Sequence, residues 1–181
     1  MKKLAIVYHS LSGNTREIAE EIRQGFHPYR SDMEVDLMTA LEADMKRLQR
    51  YDALIFGTYT WGNGELPEAM KPLYLAVEEN DIFRQKTTGV FGSGDKNYPH
   101  FCRAVDLMAD MLAAKTRLVL KMKVELNPKE GDIERCRRFA RRFAEYLRMT
   151  PTHQNTAPTL NMTTTHQTLA PGSACVTDNS A

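Results

Sequence analysis

Cysteine is scarce in this chain, and its scarcity removes two classes of protein. Only Cys102, Cys136 and Cys175 occur in 181 residues. Their number is odd and no C-x-x-C spacing is present, so neither a disulfide framework nor a zinc site is expected. Long apolar runs are also missing. No stretch approaches the roughly 18 residues of a membrane-crossing helix, and no positively charged start leads into an apolar segment, so a soluble cytoplasmic protein is expected. A net excess of one charge is absent as well: 24 Lys+Arg against 23 Asp+Glu leave +1. That balance hides an asymmetry of −4 over residues 1–114 and +6 over 115–148. In the basic part Arg135, Arg137, Arg138, Arg141 and Arg142 share a helical repeat with Ile133, Cys136, Ala140, Phe143 and Leu147. This reads as a solvated face opposite a core face. No aromatic residues interleave with those arginines to stack bases, and no nucleic-acid partner is expected.

The length suits one domain with a well-buried core. Three apolar runs, Leu4 to Val7, Ala53 to Phe56 and Gly89 to Phe91, lack alternation and end at small or turn-forming residues. Strands buried on both faces of a parallel sheet have this character. Val35-Asp36-Leu37 and Lys121-Met122-Lys123-Val124 alternate, as edge strands do. Between them helical spacing recurs: Ile18, Ile22 and Phe26; a short pattern near Leu41 to Leu48; Leu66 to Val77; Phe101, Val105, Met108 and Leu112; and the Arg-rich segment. Pro72 falls inside the third pattern and predicts either a kink or a helix that begins there. Strict alternation of strand and helix implies a doubly wound α/β fold, with ligands bound beyond the carboxyl ends of the strands.

The loops that leave the central strands therefore matter most. After the first strand comes Ser10-Leu11-Ser12-Gly13-Asn14-Thr15, hydroxyl-rich and leading into a helix. Uncapped N–H groups and the helix dipole make such a start an anion site, and Gly13 admits a close backbone approach. The loop holds no Lys, and a nucleoside-triphosphate loop cannot be read across it. The same residues would also serve as an ordinary N-cap. Thr58-Tyr59-Thr60-Trp61-Gly62-Asn63-Gly64 stands after the second strand, and Ser93-Gly94-Asp95-Lys96-Asn97-Tyr98 after the third. Each of these two loops carries glycines and a large aromatic residue, Trp61 or Tyr98. The two rings either sandwich a planar ligand or cap the sheet end.

Together the three loops, in this order and with Phe101-Cys102 after the last, resemble the flavodoxins over roughly residues 2–148. No long insertion interrupts the run into Asn127-Pro128-Lys129, which points to the short-chain type. The resemblance implies a five-stranded parallel sheet of order 2-1-3-4-5, the order known for flavodoxin itself. It implies FMN bound non-covalently by Ser10 to Thr15, Thr58 to Gly64, Ser93, Gly94, Asp95, Tyr98, Phe101 and Cys102. The phosphate would lie on the first loop, the ring between Trp61 and Tyr98, and the Gly62–Asn63 peptide would act as a redox switch. The implied function is a low-potential one-electron carrier, a monomer cycling between semiquinone and hydroquinone, which takes electrons from a flavodoxin reductase and delivers them to acceptor enzymes. The alternative is an FMN-dependent quinone or nitro reductase fed by NAD(P)H, for which a chain this short offers no separate nicotinamide module. The near-neutral charge departs from the strongly acidic character usual in the family.

The domain is expected to span residues 1–149. Residues 150–181, rich in Thr, Pro and Asn with few large apolar side chains, are expected to be a disordered tail. Within it Thr152-His153-Gln154 recurs as Thr165-His166-Gln167, and Asn161-Met162-Thr163 formally fits a glycosylation acceptor.

Overall fold

The structure, a computed structural model, describes residues 1–149. The expected tail, its short repeat, Asn161 and Cys175 lie outside the described residues. Five strands, β1 (Lys2–Tyr8), β2 (Met33–Thr39), β3 (Ala53–Tyr59), β4 (Thr87–Gly94) and β5 (Arg117–Glu125), form one sheet of order β2-β1-β3-β4-β5. All four pairings are parallel. The central and edge strands are those expected from the apolar pattern, because burial on both faces removes polar alternation. β1 and β3 are almost wholly buried, whereas β5 leaves Arg117 and Lys121 exposed. Charged side chains there protect an open edge from pairing with another chain.

Five helices cover the two faces: α1 (Asn14–Gly25), α2 (Met45–Leu48), α3 (Lys71–Glu79), α4 (Arg103–Lys115) and α5 (Glu130–Met149). Successive residues of β1 serve opposite layers. Leu4 and Ile6 pack with Ile18 and Ile22 of α1 and Phe139 and Phe143 of α5. Ala5 and Val7 pack with Val77 of α3 and Met108 and Leu112 of α4. This two-layer burial is the hydrophobic basis of the fold.

Two expectations are refined. Pro72 does not kink a helix: α3 begins at Lys71, so the proline falls in the first turn, where its missing N–H has no intrahelical partner to lose. The short helix is confined to Met45–Leu48. Leu41 is exposed and Glu42 Oε2 accepts Thr39 N at 2.7 Å, which holds the preceding residues in a turn until Asp44 caps the helix.

Candidate functional site

Strand order reverses at β1 and β3, because β1 connects outward to β2 while β3 leads the other way to β4 and β5. The loops after β1, β3 and β4 therefore open at the same sheet end, where doubly wound proteins bind ligands.

The first loop is built for an anion. Gly13 occupies the N-cap of α1 in the left-handed region, φ 97°, and no side chain caps the helix. An ordinary side-chain cap is thus not what forms, and the first-turn N–H groups of a 12-residue helix are left for another acceptor. Ser10 Oγ instead accepts Gly13 N at 3.1 Å, which bends the loop around the helix start. A Cβ on Gly13 would meet nothing within 4 Å, so open space lies beside the backbone here. Ser12 is exposed and Asn14 half-buried, both at the rim, while Leu11 points outward with 69% of its surface exposed. Thr15 differs from expectation. It is buried, and its hydroxyl pairs with Ser93 Oγ at 2.9 Å across the first and third loops. One proton of the pair is used internally, so the two hydroxyls offer an outside acceptor one donor between them.

Thr58 is buried at the end of β3, with its hydroxyl turned to the Tyr59 carbonyl. Tyr59 lies under the loop, its ring 5.7 Å from His9 and 6.5 Å edge-on from Trp61. Burial raises its phenol pKa. Thr60 Oγ1 accepts Ala104 N at 3.2 Å and so ties this loop to the start of α4. Trp61 and Glu65 exchange backbone hydrogen bonds at 2.9 Å around Gly62-Asn63-Gly64. That tight loop places Gly62 at φ 51° and Gly64 at φ 106°. In the third loop Asp95 turns the chain by accepting Asn97 N at 2.8 Å, and its carbonyl accepts Tyr98 N.

Between these two loops lies a cavity of about 410 Å³ lined by Thr60, Trp61, Gly62, Asn63, Asp95, Tyr98, Pro99 and His100. Its size and aromatic walls suit a planar ligand. Trp61 and Tyr98 are 52% and 64% exposed, which is unusual for such large rings and leaves their faces free for stacking. Phe101 and Cys102 are turned away from it. Phe101 lines a neighbouring hollow with Lys123 and Arg135, beneath Lys96. Cys102 is buried with Sγ toward the carbonyls of Gly92 and Val124. Burial pushes that thiol up to about 11, so only its backbone is suited to touch a ligand. Pro99 and His100 also line the cavity, although by sequence alone they pass for spacers between Tyr98 and Phe101. The one signal that could have found them is an imidazole inside a loop already singled out. Among the described residues no cluster of His, Cys, Asp or Glu could hold a metal, and no helix is long and apolar enough to cross a membrane.

Comparison with known proteins agrees with this geometry. The sequence model of the flavodoxin family matches residues 6–139. Probable flavodoxin 1 of Bacillus subtilis is 38% identical over 159 residues, covering 84% of this chain and 99% of the relative. Probable flavodoxin 2 of the same species is 41% identical over 148 residues, covering 80% and 96%. Among solved structures, oxidised Flavodoxin 2 from Bacillus cereus superposes with a TM-score of 0.74 at 40% identity, over 80% of this chain and 99% of that one. A short-chain flavodoxin associated with a non-canonical PDU bacterial microcompartment gives 0.74 at 29%, over 81% and 99%. With an uncapped helix start for a phosphate, an aromatic-walled cavity for a ring and this run of relatives, the chain belongs to the flavodoxin family of FMN-binding electron carriers.

Proposed function

We propose that the protein is a low-potential, one-electron carrier, working as a monomer between a flavodoxin reductase and acceptor enzymes. The observation that carries this reading is the pairing of the uncapped α1 start with the Trp61–Tyr98 cavity at one sheet end. Ser10, Ser12, Asn14 and the first-turn N–H groups would hold the phosphate, with the Thr15–Ser93 pair behind them. Trp61 and Tyr98 would flank the ring, and the backbone of residues 58–64 and 93–98 would face its polar edge. All three loops come from one chain, so a monomer suffices. Bound FMN supplies the redox chemistry, and the residues around it hold it and set its electronics. Aromatic walls and the Asp95 carboxylate both disfavour added negative charge in the cavity, which supports a low potential. The Gly62–Asn63 peptide is the proposed switch, since Gly62 already occupies the left-handed region that a peptide flip exploits.

A ring covered on both faces leaves little room for a hydride donor, and this favours the carrier over a nicotinamide-fed reductase. Two measurements test the reading. Trp61, the chain's single tryptophan, should lose most of its emission on FMN binding and recover it when FMN is stripped. Stepwise anaerobic reduction should show two separated one-electron steps. Unchanged emission would remove Trp61 from the site, and rapid two-electron reduction by a nicotinamide would support the enzyme.

A further inference from the structure

We propose that His100 takes up a proton when the cofactor is reduced, and so couples the potential of this carrier to pH near neutrality. The inference rests on the placement of FMN in the Trp61–Tyr98 cavity. His100 lines that cavity beside Asp95 and Tyr98. Its position is fixed from two sides. Its carbonyl accepts Arg103 N at 3.2 Å, and its Cβ and Cγ lie 3.1 and 3.3 Å from where a Gly64 Cβ would stand. Gly64 is therefore doubly constrained, by φ 106° and by the imidazole packed against it. The result is a half-buried imidazole held between the tight loop after β3 and the space assigned to the ring.

An imidazole changes charge between about pH 5 and 8, within reach of small environmental shifts. The charged and titratable groups around it are Asp95 and Tyr98 of the same cavity wall, Glu65 of the opposite loop, and Arg103, whose side chain packs on the same Gly64. Two-electron reduction with one proton delivered to the ring leaves one more negative charge in the cavity, and His100 balances it by taking a second proton from water onto a free ring nitrogen. The electrons come from a low-potential donor protein, or from dithionite in vitro, and no covalent bond to the protein forms or breaks. Binding free energies are reciprocal, so a proton held about tenfold more tightly after reduction makes the potential less negative by the same factor. Tenfold is about 59 mV for a one-electron step. The extra dependence is confined to pH values between the oxidised-state and reduced-state pKa of His100: below both it is charged in each state, and above both it is neutral in each.

The test uses the full-length FMN-loaded protein and His100→Gln. Ring C–H resonances of the histidines are titrated by NMR in oxidised and dithionite-reduced protein, with the resonance missing from the variant assigning His100. His9, tilted against the Tyr59 ring, and His27, which faces Arg30, serve as internal references. Midpoint potentials are then measured from pH 5.5 to 8.5 at saturating FMN, so that affinity does not enter. The pKa of His100 should rise by about one unit on reduction, a tenfold change in proton affinity. The added slope of potential against pH should vanish in His100→Gln, and His100→Arg should give a less negative potential without that slope. Equal His100 pKa values in both redox states, or identical pH profiles for wild type and His100→Gln, would overturn the proposal alone. If FMN bound the apoprotein without moving the His100 resonance, the cavity placement would fail and this inference with it.

Discussion

Ser12 and Thr15 both belong to the loop before α1, yet the structure predicts different consequences for their loss. Ser12 is exposed at the rim of the uncapped helix start, whereas Thr15 is buried and bonded to Ser93 Oγ at 2.9 Å. With phosphate placed as proposed, Ser12→Ala would remove one of its donors, and an exposed hydroxyl takes little from the fold. A hydrogen bond to a charged group is worth about 1.5–3 kcal/mol, so FMN affinity should fall by about tenfold to a hundredfold. Riboflavin, which lacks the phosphate, should bind almost as before. Thr15→Ala removes a donor and also leaves Ser93 buried without its partner, at about 1–3 kcal/mol. It should lower the unfolding midpoint of the apoprotein and weaken both ligands, because Ser93 opens the loop that carries Asp95 and Tyr98. The assay is fluorescence titration of apoprotein with FMN and riboflavin, paired with urea unfolding. If Ser12→Ala weakened the two ligands equally, the loop would not be holding phosphate.

At Gly62, φ 51° disfavours any side chain, and a Cβ would stand 2.9 Å from Glu65 Oε2, the movable end of a long side chain. Because Glu65 can move aside, Gly62→Val should keep part of the affinity for oxidised FMN despite the strain at this φ, while making the first one-electron potential more negative by about 20–60 mV, the worth of one net hydrogen bond. Heavy loss of oxidised FMN with unchanged spacing of the potentials would show that Gly62 only makes room. Reversing Glu65 and Glu68 to Lys should slow association with a basic reductase and flatten its salt dependence in stopped-flow measurements. Control of that rate by Arg138 and Arg141 would move the docking face to α5. Burial holds the Cys102 and Cys136 thiols protonated, up to about 11 and about 12, so both should resist iodoacetamide at pH 8 in the folded protein and react in denaturant, as peptide mass spectrometry would read. Because unfolded thiols ionise first, the same shifts make stability fall as pH rises from about 9 through those values.

The sheet was legible because burial on both faces leaves a mark in the sequence. Leu4 to Val7 carries no polar residue since Leu4 and Ile6 face α1 and α5 while Ala5 and Val7 face α3 and α4. The loops after the central strands were legible by composition, as glycines and hydroxyl residues there break the apolar runs, and the structure brings those loops to one sheet end. The direction of individual side chains stayed hidden. Thr15, Thr58 and Thr60 look alike in sequence, yet one pairs with Ser93, one bonds the chain beside it and one caps α4 from another loop. A pattern of residue types cannot say which of several hydroxyls turns inward, because that is decided by a partner 78 or 44 residues away. Cys102 is the same case. It sits at φ 51°, uncommon for a residue with a side chain, because the chain must turn from the Tyr98 loop into α4 while Sγ stays in the core.

The basic segment 115–148 is best understood through its partners. Lys121 and Lys123 both reach Asp106 of α4, at 3.2 and 2.6 Å, and fasten the edge strand β5 to the helix beside it. Burial alone would raise the Asp106 pKa, but hydrogen bonds from these two lysines hold it below the ordinary carboxylate value. Arg135 pairs with Asp132 of its own helix at 2.7 Å and donates to the Lys123 carbonyl of β5 at 2.9 Å, and Arg148 pairs with Asp32, so the two ends of α5 are tied to the sheet side, while Arg137 and Arg141 stand 3.9 Å from Glu21 of α1 and Glu134 of α5. Most of these side chains are largely exposed, and such pairs contribute about 0–1 kcal/mol each. Their worth lies more in charge balance than in stability. A nucleic-acid surface needs a row of cations left for phosphates. Among the described residues of α5 only Arg138 and Arg142, four apart and exposed, stand without an ion pair. Two such groups on one helix cannot supply the steep salt dependence of a polyanion contact. Six of the eleven cations of 115–148 stand beside carboxylates instead, while the candidate loops lie in the −4 region.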